Sequence, residues 1–173
     1  AEIYNLLAHI RNRAGNAHIA LEHLEIVDEF INSRPQSRLF MNQNTQYGIA
    51  YWNLSFESDT LANAQKALEV TERTLECCDY TRYELYYGYA LHNLGEIQRH
   101  VARVTDSKKN LNEAIDNYKK ALEIFDMENY PYEYSFTYQD IGDAYRHLAE
   151  IENLEGNLQK AYKAYAEALR VRE

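Results

Sequence analysis

Apolar residues recur along this chain at spacings of three and four, the period of a helix with one buried face. Past residue 110 they stand at Leu111, Ala114, Ile115, Tyr118, Ala121, Leu122 and Phe125, and the rhythm returns as Leu158, Ala161, Tyr162, Tyr165, Ala168 and Leu169. Polar side chains fill the positions between, so each stretch predicts an amphipathic helix. Carried along the chain, the pattern gives first helices at about 1–13 (incomplete), 36–56, 82–104 and 132–153. Second helices follow at about 16–33, 60–79, 110–127 and 157–172. Pro35 and Pro131 fall at links, where a helix must stop. A helix of about 20 residues is about 30 Å long, so the expectation is a stack of tall antiparallel helix pairs, each burying its apolar face against its neighbours.

The pattern is periodic on a larger scale. A shift of 47 residues superimposes Asn16, Asn63, Asn110 and Asn157, and four residues later Ala20, Ala67, Ala114 and Ala161. Gly48, Gly95 and Gly142 share another phase, 19 residues before the alanine. Tyr4, Tyr51 and Tyr145 are in register, as are Leu7, Leu54, Val101 and Leu148, and also Leu75, Leu122 and Leu169. Asparagine at the head of a helix suits an N-cap, its side-chain oxygen accepting from an orphan amide of the first turn. Glu113, three residues after Asn110, has the spacing of a capping box. The alanine and glycine phases predict points where two helices approach too closely for a larger side chain.

These residues resemble the tetratricopeptide repeat, whose pattern is a large residue, Leu-Gly, Tyr, then Ala and an aromatic. The fourth repeat reads Tyr138, Ile141-Gly142, Tyr145, Ala161 and Tyr165, and the third Leu91, Leu94-Gly95, Gln98, Ala114 and Tyr118. The second keeps Tyr47-Gly48, Tyr51 and Ala67 but has Thr71 for the aromatic, and the first keeps Tyr4, Ala20 and Leu24. The family's usual period is about 34 residues, so each helix here is about two turns longer. That resembles the long repeats of bacterial regulatory and caspase-like (CHAT-associated) proteins. The resemblance implies one all-α domain, a right-handed superhelical solenoid of about 3.5 repeats and seven to eight helices. Its repeats would fall at about 1–34 (partial), 35–80, 81–129 and 130–173.

Composition narrows the reading. Hydrophobic residues make up 46% and charged residues 26%, with two prolines and six glycines, which favours long helices over a sandwich rich in turns. The net charge of −9, from 27 acidic and 18 basic residues, repels phosphate backbones and anionic lipid and favours a partner of basic character. No run of apolar residues is long enough to span a bilayer, and no signal-peptide pattern opens the chain. The adjacent Cys77 and Cys78 have no third cysteine to pair with and read as reduced, core-packed thiols, which points to the cytoplasm. The chain begins at Ala1 rather than methionine, which suggests a piece of something longer.

The resemblance further implies a non-catalytic, cofactor-free scaffold that binds a protein or peptide in a concave groove lined by first helices. The positions carried over are Asn42, Thr45, Ile49, Trp52 and Asn53; then Tyr89, His92, Glu96, Arg99 and His100; then Phe136, Gln139, Asp143, Arg146 and His147. Ile49, Glu96 and Asp143 occupy the key position of the family's carboxylate clamp, and two acids there argue against a clamp. One motif recurs in phase, Gly95-Glu96-Ile97-Gln98-Arg99-His100 and Gly142-Asp143-Ala144-Tyr145-Arg146-His147. An acid with Arg at i+3 and His at i+4 shares one helical face. It reads either as an intrahelical ion pair or, stacked across repeats, as a polar ridge for a peptide of both charge signs. An arginine within each triplet argues against a metal on these histidines. Clusters such as Tyr83, Tyr86 and Tyr87, or Tyr130, Tyr134 and Tyr138, read as core, with Trp52 and Tyr89 as groove candidates. No phosphate loop, GxSxG or HExxH is present. The alternative is a ligand-sensing regulatory segment of a larger multidomain enzyme or signalling protein. The last helix carries Leu158, Ala161, Tyr165 and Leu169 with no helix after it, so self-association or a further segment is expected to cover that face.

Overall fold

The computed structural model describes residues 2–13, 15–33, 37–103, 105 and 107–172; the expected break at Pro35 lies outside them. Every regular element among the described residues is helical. The helices are α1 (Glu2–Arg13), α2 (Ala17–Glu25), α3 (Asp28–Asn32), α4 (Arg38–Glu57), α5 (Thr60–Cys77), α6 (Glu84–Val101), α7 (Ser107–Leu122), α8 (Pro131–Ile151) and α9 (Leu154–Leu169), with a 3-10 turn at Arg170–Arg172. No helix among the described residues is long and apolar enough to cross a membrane.

The chain forms two compact units, divided between Asn93 and Leu94 inside α6. In the first, α1 packs on α2 and α4, α2 on α4, and α4 on α5. Its core joins Ala8, Ala20, Leu24, Tyr47, Ala50 and Leu54. In the second, α7 packs on α8 and α8 on α9. Leu111, Ile115, Ala144 and Leu148 fill one cluster there, and Ala114, Tyr118, Ile141 and Ala164 another.

The small-residue phases do what their spacing predicts. Ala20, Ala67, Ala114 and Ala161 are all buried. A Cβ built on Gly48 would meet Thr71 Oγ1 at 2.8 Å, and one on Gly95 or Gly142 would meet the rings of Tyr118 or Tyr165 at 2.6 and 2.5 Å. Each glycine thus seats the residue 23 positions on, at one fixed point of helix contact. The pair in the second repeat is smaller because Thr71 replaces the ring.

The asparagine phase has a different role from the expected N-cap. Helices α5 and α9 begin one turn earlier, behind Asp59 and Asn153, which hold left-handed backbone at φ 42° and 45°. Short polar residues tolerate that region because their side chains bond locally. Asn63, Asn110 and Asn157 therefore lie inside the first turn. Their amide nitrogens donate backward five residues, to the Ser58 carbonyl at 2.8 Å, Thr105 Oγ1 at 2.9 Å and the Glu152 carbonyl at 2.8 Å. Each clamps the turn between paired helices. Asn16 keeps the N-cap position of α2 but makes no capping bond from its side chain. Glu113 forms no capping box; it accepts from Gln98 Nε2 at 3.3 Å and lies 3.8 Å from Lys109 Nζ.

The helix expected over 16–33 is broken after Glu25 and resumes at Asp28. Val27 N–H donates to the Leu24 carbonyl at 3.2 Å, an i−3 bond that tightens the turn. Gln43 Nε2 from α4 donates to that same carbonyl at 2.9 Å and to Asp28 Oδ1 at 2.7 Å, holding both ends of the break. On α9, Ala161 and the half-buried Tyr165 are covered by α8, contrary to expectation, whereas Leu158 and Leu169 are open.

Candidate functional site

The candidates of the first unit are mostly half-buried. On α4, Asn42, Thr45, Ile49, Trp52 and Asn53 are all of this kind. Thr45 spends its hydroxyl on the Met41 carbonyl at 2.8 Å, within its own helix. Trp52 meets Phe56 edge-on at 5.3 Å, and its buried Nε1–H has no acceptor among the described residues. On α6, Tyr89 is half-buried and His92 buried. Cys77 and Cys78 are free thiols at and just past the end of α5, packed near Val27, Phe40 and Met41. Burial and then Asp79 raise the Cys78 thiol pKa, which keeps it protonated and unreactive.

The second unit holds both acid–Arg–His triplets, and they are not alike. Arg99 does not simply pair within its own helix. It crosses to α8, where Nη2 meets Asp140 Oδ1 at 3.2 Å, and its Nε donates to Tyr118 Oη at 3.4 Å. Asp140 is almost wholly buried, with 6% of its side chain exposed against 18% for Arg99. Burial alone would lower the guanidinium pKa, but Tyr118 and Asp140 outweigh it and the net direction is upward. Burial, then Asp140, push Tyr118 well above the ordinary phenol range. The triad Tyr118–Arg99–Asp140 therefore works as an interhelical tie.

Arg146, one period on, stays exposed and local. It lies 3.9 Å from Asp143 and 3.5 Å from Glu150, both on α8, as an intrahelical pair should. Its Nη2 reaches His147 Nε2 at 3.0 Å. A guanidinium can only donate, so this nitrogen accepts and His147 is the neutral tautomer protonated on Nδ1. Burial first, then Arg146, Arg99 and Arg103, lower the His147 pKa. Asp143 also accepts from Tyr165 Oη at 2.7 Å, and burial and this bond raise the Tyr165 pKa.

Between these helices lies a cavity of about 400 Å³ lined by Arg99, Arg103, Ser107, Leu111, His147 and Glu150, among others. Ser107 closes one side, its hydroxyl donating to the Ala102 carbonyl at 2.5 Å. A second cavity of about 290 Å³ is lined by Gln139, Asp143, Tyr165 and Leu169, among others. Gln139, Phe136 and Arg146 are exposed, Phe136 stacking on exposed Tyr132 at 5.9 Å, whereas Glu96 and His100 are half-buried. The sequence ridge thus gathers Arg99, His147 and, through its two pairings, Arg146 near one cavity. Arg103 and Glu150 also line it, and Asp140 holds the lining Arg99 from α8; none of the three was picked out from sequence. Arg103 and Glu150 stand four residues beyond Arg99 and Arg146, so helical spacing alone would have found them. Asp140 had no such cue, since its partner is on another helix.

The lining presents both charge signs together with apolar Leu111. No group of three or more His, Cys, Asp or Glu comes together among the described residues as a metal site would need. No protein-family model matches the chain, and a search of curated proteins returns no significant match.

Proposed function

We propose that this chain is a non-catalytic scaffold that binds a protein or peptide along the concave face of a right-handed, tetratricopeptide-like solenoid. The single observation that carries the reading is the mixed-charge cavity beside the repeated triplet. There exposed Arg146 and Glu150 flank half-buried His147, with Arg103 across the opening. Arg103 is exposed and lines the cavity, where its charge would suit an incoming carboxylate. Glu150 offers the opposite sign to a basic partner residue. The glycine–aromatic register in two successive repeats supports the solenoid, because the same contact fixes the same helix-pair geometry each time. The resemblance of those residues to tetratricopeptide repeats supports the scaffold role, and the fold alone does not decide the ligand.

The test is capture of a partner by the immobilised chain, compared with an Arg103→Glu, Arg146→Glu double variant. Both side chains are exposed, so far-ultraviolet circular dichroism should remain unchanged. Arg99 is left intact because reversing it would bury two like charges beside Asp140. A partner held by the parent and lost by the variant is the expected result. Equal retention would remove the cavity from the binding surface.

A further inference from the structure

Arg146 and His147 are neighbours in sequence, and their contact constrains the charge of the imidazole. Arg146 Nη2 lies 3.0 Å from His147 Nε2. A guanidinium has only donors, so this bond exists only while the ring is neutral and Nε2 keeps its lone pair. Protonation puts a hydrogen on that nitrogen and leaves two cations facing each other. Arg146 then still has Asp143 and Glu150, at 3.9 and 3.5 Å on its own helix. A single proton therefore removes the bond between Arg146 and His147 while the two ion pairs stay available.

His147 also lines the larger cavity, and the charges around it come from three helices. From α6 come Arg99 and, just past its end, Arg103. Arg99 is held by Asp140 at 3.2 Å. From α7, Ser107 and Leu111 line the cavity without charge, and Lys108 is paired with Glu152 at 2.8 Å. From α8 come Arg146 and Glu150, which pair with each other. Three guanidiniums thus act on one half-buried imidazole, and after burial they are the causes that lower its pKa. An anion placed among them reverses the balance, because its charge offsets the guanidiniums and favours the imidazolium.

We infer that a carboxylate side chain of the bound partner enters this cavity beside Arg103 and His147, and that His147 takes up a proton as it binds. One proton moves from solvent to Nε2, the bond from Arg146 to that nitrogen is lost, and an imidazolium–carboxylate pair forms. Glu150 stays with Arg146, which no longer shares its guanidinium with the ring. Resting on the cavity as the scaffold's binding site, this makes the partner's acid and His147 one titrating unit, tighter as pH falls.

The probe is N-acetylglutamate methylamide, titrated into the whole chain between about pH 5 and 7.5, where its carboxylate is largely ionised. N-acetylglutamine methylamide is the uncharged control. The His147 ring Cε1–H resonance, assigned by its loss in His147→Gln, reports both binding and protonation. The glutamate probe is expected to raise the His147 midpoint, and the glutamine probe to leave it in place. Affinity for the glutamate probe should rise by up to about tenfold per pH unit of acidification between the bound and free midpoints. In His147→Gln that pH dependence should vanish. In Arg146→Met the midpoint of the free chain should rise, because the bond to the neutral ring and one repelling charge are both gone. A midpoint unmoved by the glutamate probe, an equal shift with the glutamine probe, or an equal pH dependence in His147→Gln overturns the proton uptake. So does a free-chain midpoint unchanged by Arg146→Met. Should the midpoint stay put while the Arg103→Glu, Arg146→Glu chain still loses its captured partner, the cavity keeps its place as the binding site and only the proton linkage falls.

Discussion

Replacing Gly142 by alanine isolates the contact that sets the repeat. The added Cβ would lie 2.5, 2.6 and 2.8 Å from Cε1, Cδ1 and Cζ of Tyr165. Carbon atoms prefer about 3.5–4.0 Å, so the ring must retreat by roughly an ångström. Its tip is tethered by the 2.7 Å bond to Asp143, and α8 and α9 enclose its body. Overpacking of this kind costs about 1–3 kcal/mol. Against it stands the helix preference of alanine over glycine, about 0.5–1 kcal/mol. At the middle of these ranges the clash wins, and Gly142→Ala should destabilise by about 1 kcal/mol, with about 2–4 °C in melting temperature per kcal/mol for a chain of this size. In a Tyr165→Ala background the obstruction is gone and only the preference remains. There the same glycine change should stabilise by about 0.5–1 kcal/mol. Urea titrations of the four chains, followed by circular dichroism, give the coupling between the two positions. Stabilisation by Gly142→Ala in both backgrounds would refute the packing argument and leave the glycine phase without a structural cause.

Asn157→Ala removes the 2.8 Å bond that clamps the Glu152 carbonyl, and a loss of about 1 kcal/mol by urea titration is expected; no loss would mean the turn is held by Asn153 and Gly156 alone. Asp140→Ala should cost on the order of 3 kcal/mol because it strands Arg99 where water is scarce, whereas Arg146→Met should change stability by under about 1 kcal/mol. Similar losses for both in thermal melts would contradict the difference drawn between the two triplets. The His147 pKa is lowered from the usual 6.5, so below that pH the unfolded chain takes up a proton that the folded chain refuses. Stability should therefore fall as pH drops through 6.5 towards the folded value and then level off, and His147→Gln should lessen the fall. Parallel melting-temperature profiles for parent and variant would remove His147 as the cause.

The helices and their pairing were legible because periodicity is local and was sampled several times over. Each glycine, alanine and tyrosine in phase repeats one packing solution, so chance substitutions at one repeat, such as Thr71, do not hide it. The capping assignment failed for a definable reason. Asparagine both donates and accepts, and its preference for helix starts does not distinguish an N-cap that accepts from a first-turn residue that donates backward. The true cue was one turn earlier, where Asp59 and Asn153 stand two periods apart, each of a type that tolerates left-handed backbone. The break between α2 and α3 was out of reach because it depends on Gln43, which is remote in sequence and belongs to another helix. Ile26 and Val27 alone carry no glycine or proline to announce it.

The candidate site shows the limit of the same logic. The triplets Glu96–Arg99–His100 and Asp143–Arg146–His147 are equivalent in sequence, and spacing assigns both the same intrahelical pair. What separates them is the neighbour. Arg99 has α8 beside it, and α8 supplies a buried acid, so the side chain leaves its own helix and becomes a structural tie. Arg146 has no such acid beside it among the described residues, so it falls back on Asp143 and Glu150 and remains exposed. Where the sequence is periodic and the surroundings among the described residues are not, equivalent side chains form different contacts. That is why exposure at a repeat position carries more information than the residue type alone: Tyr162 is 74% exposed where Ile115, one period earlier, is at 2%.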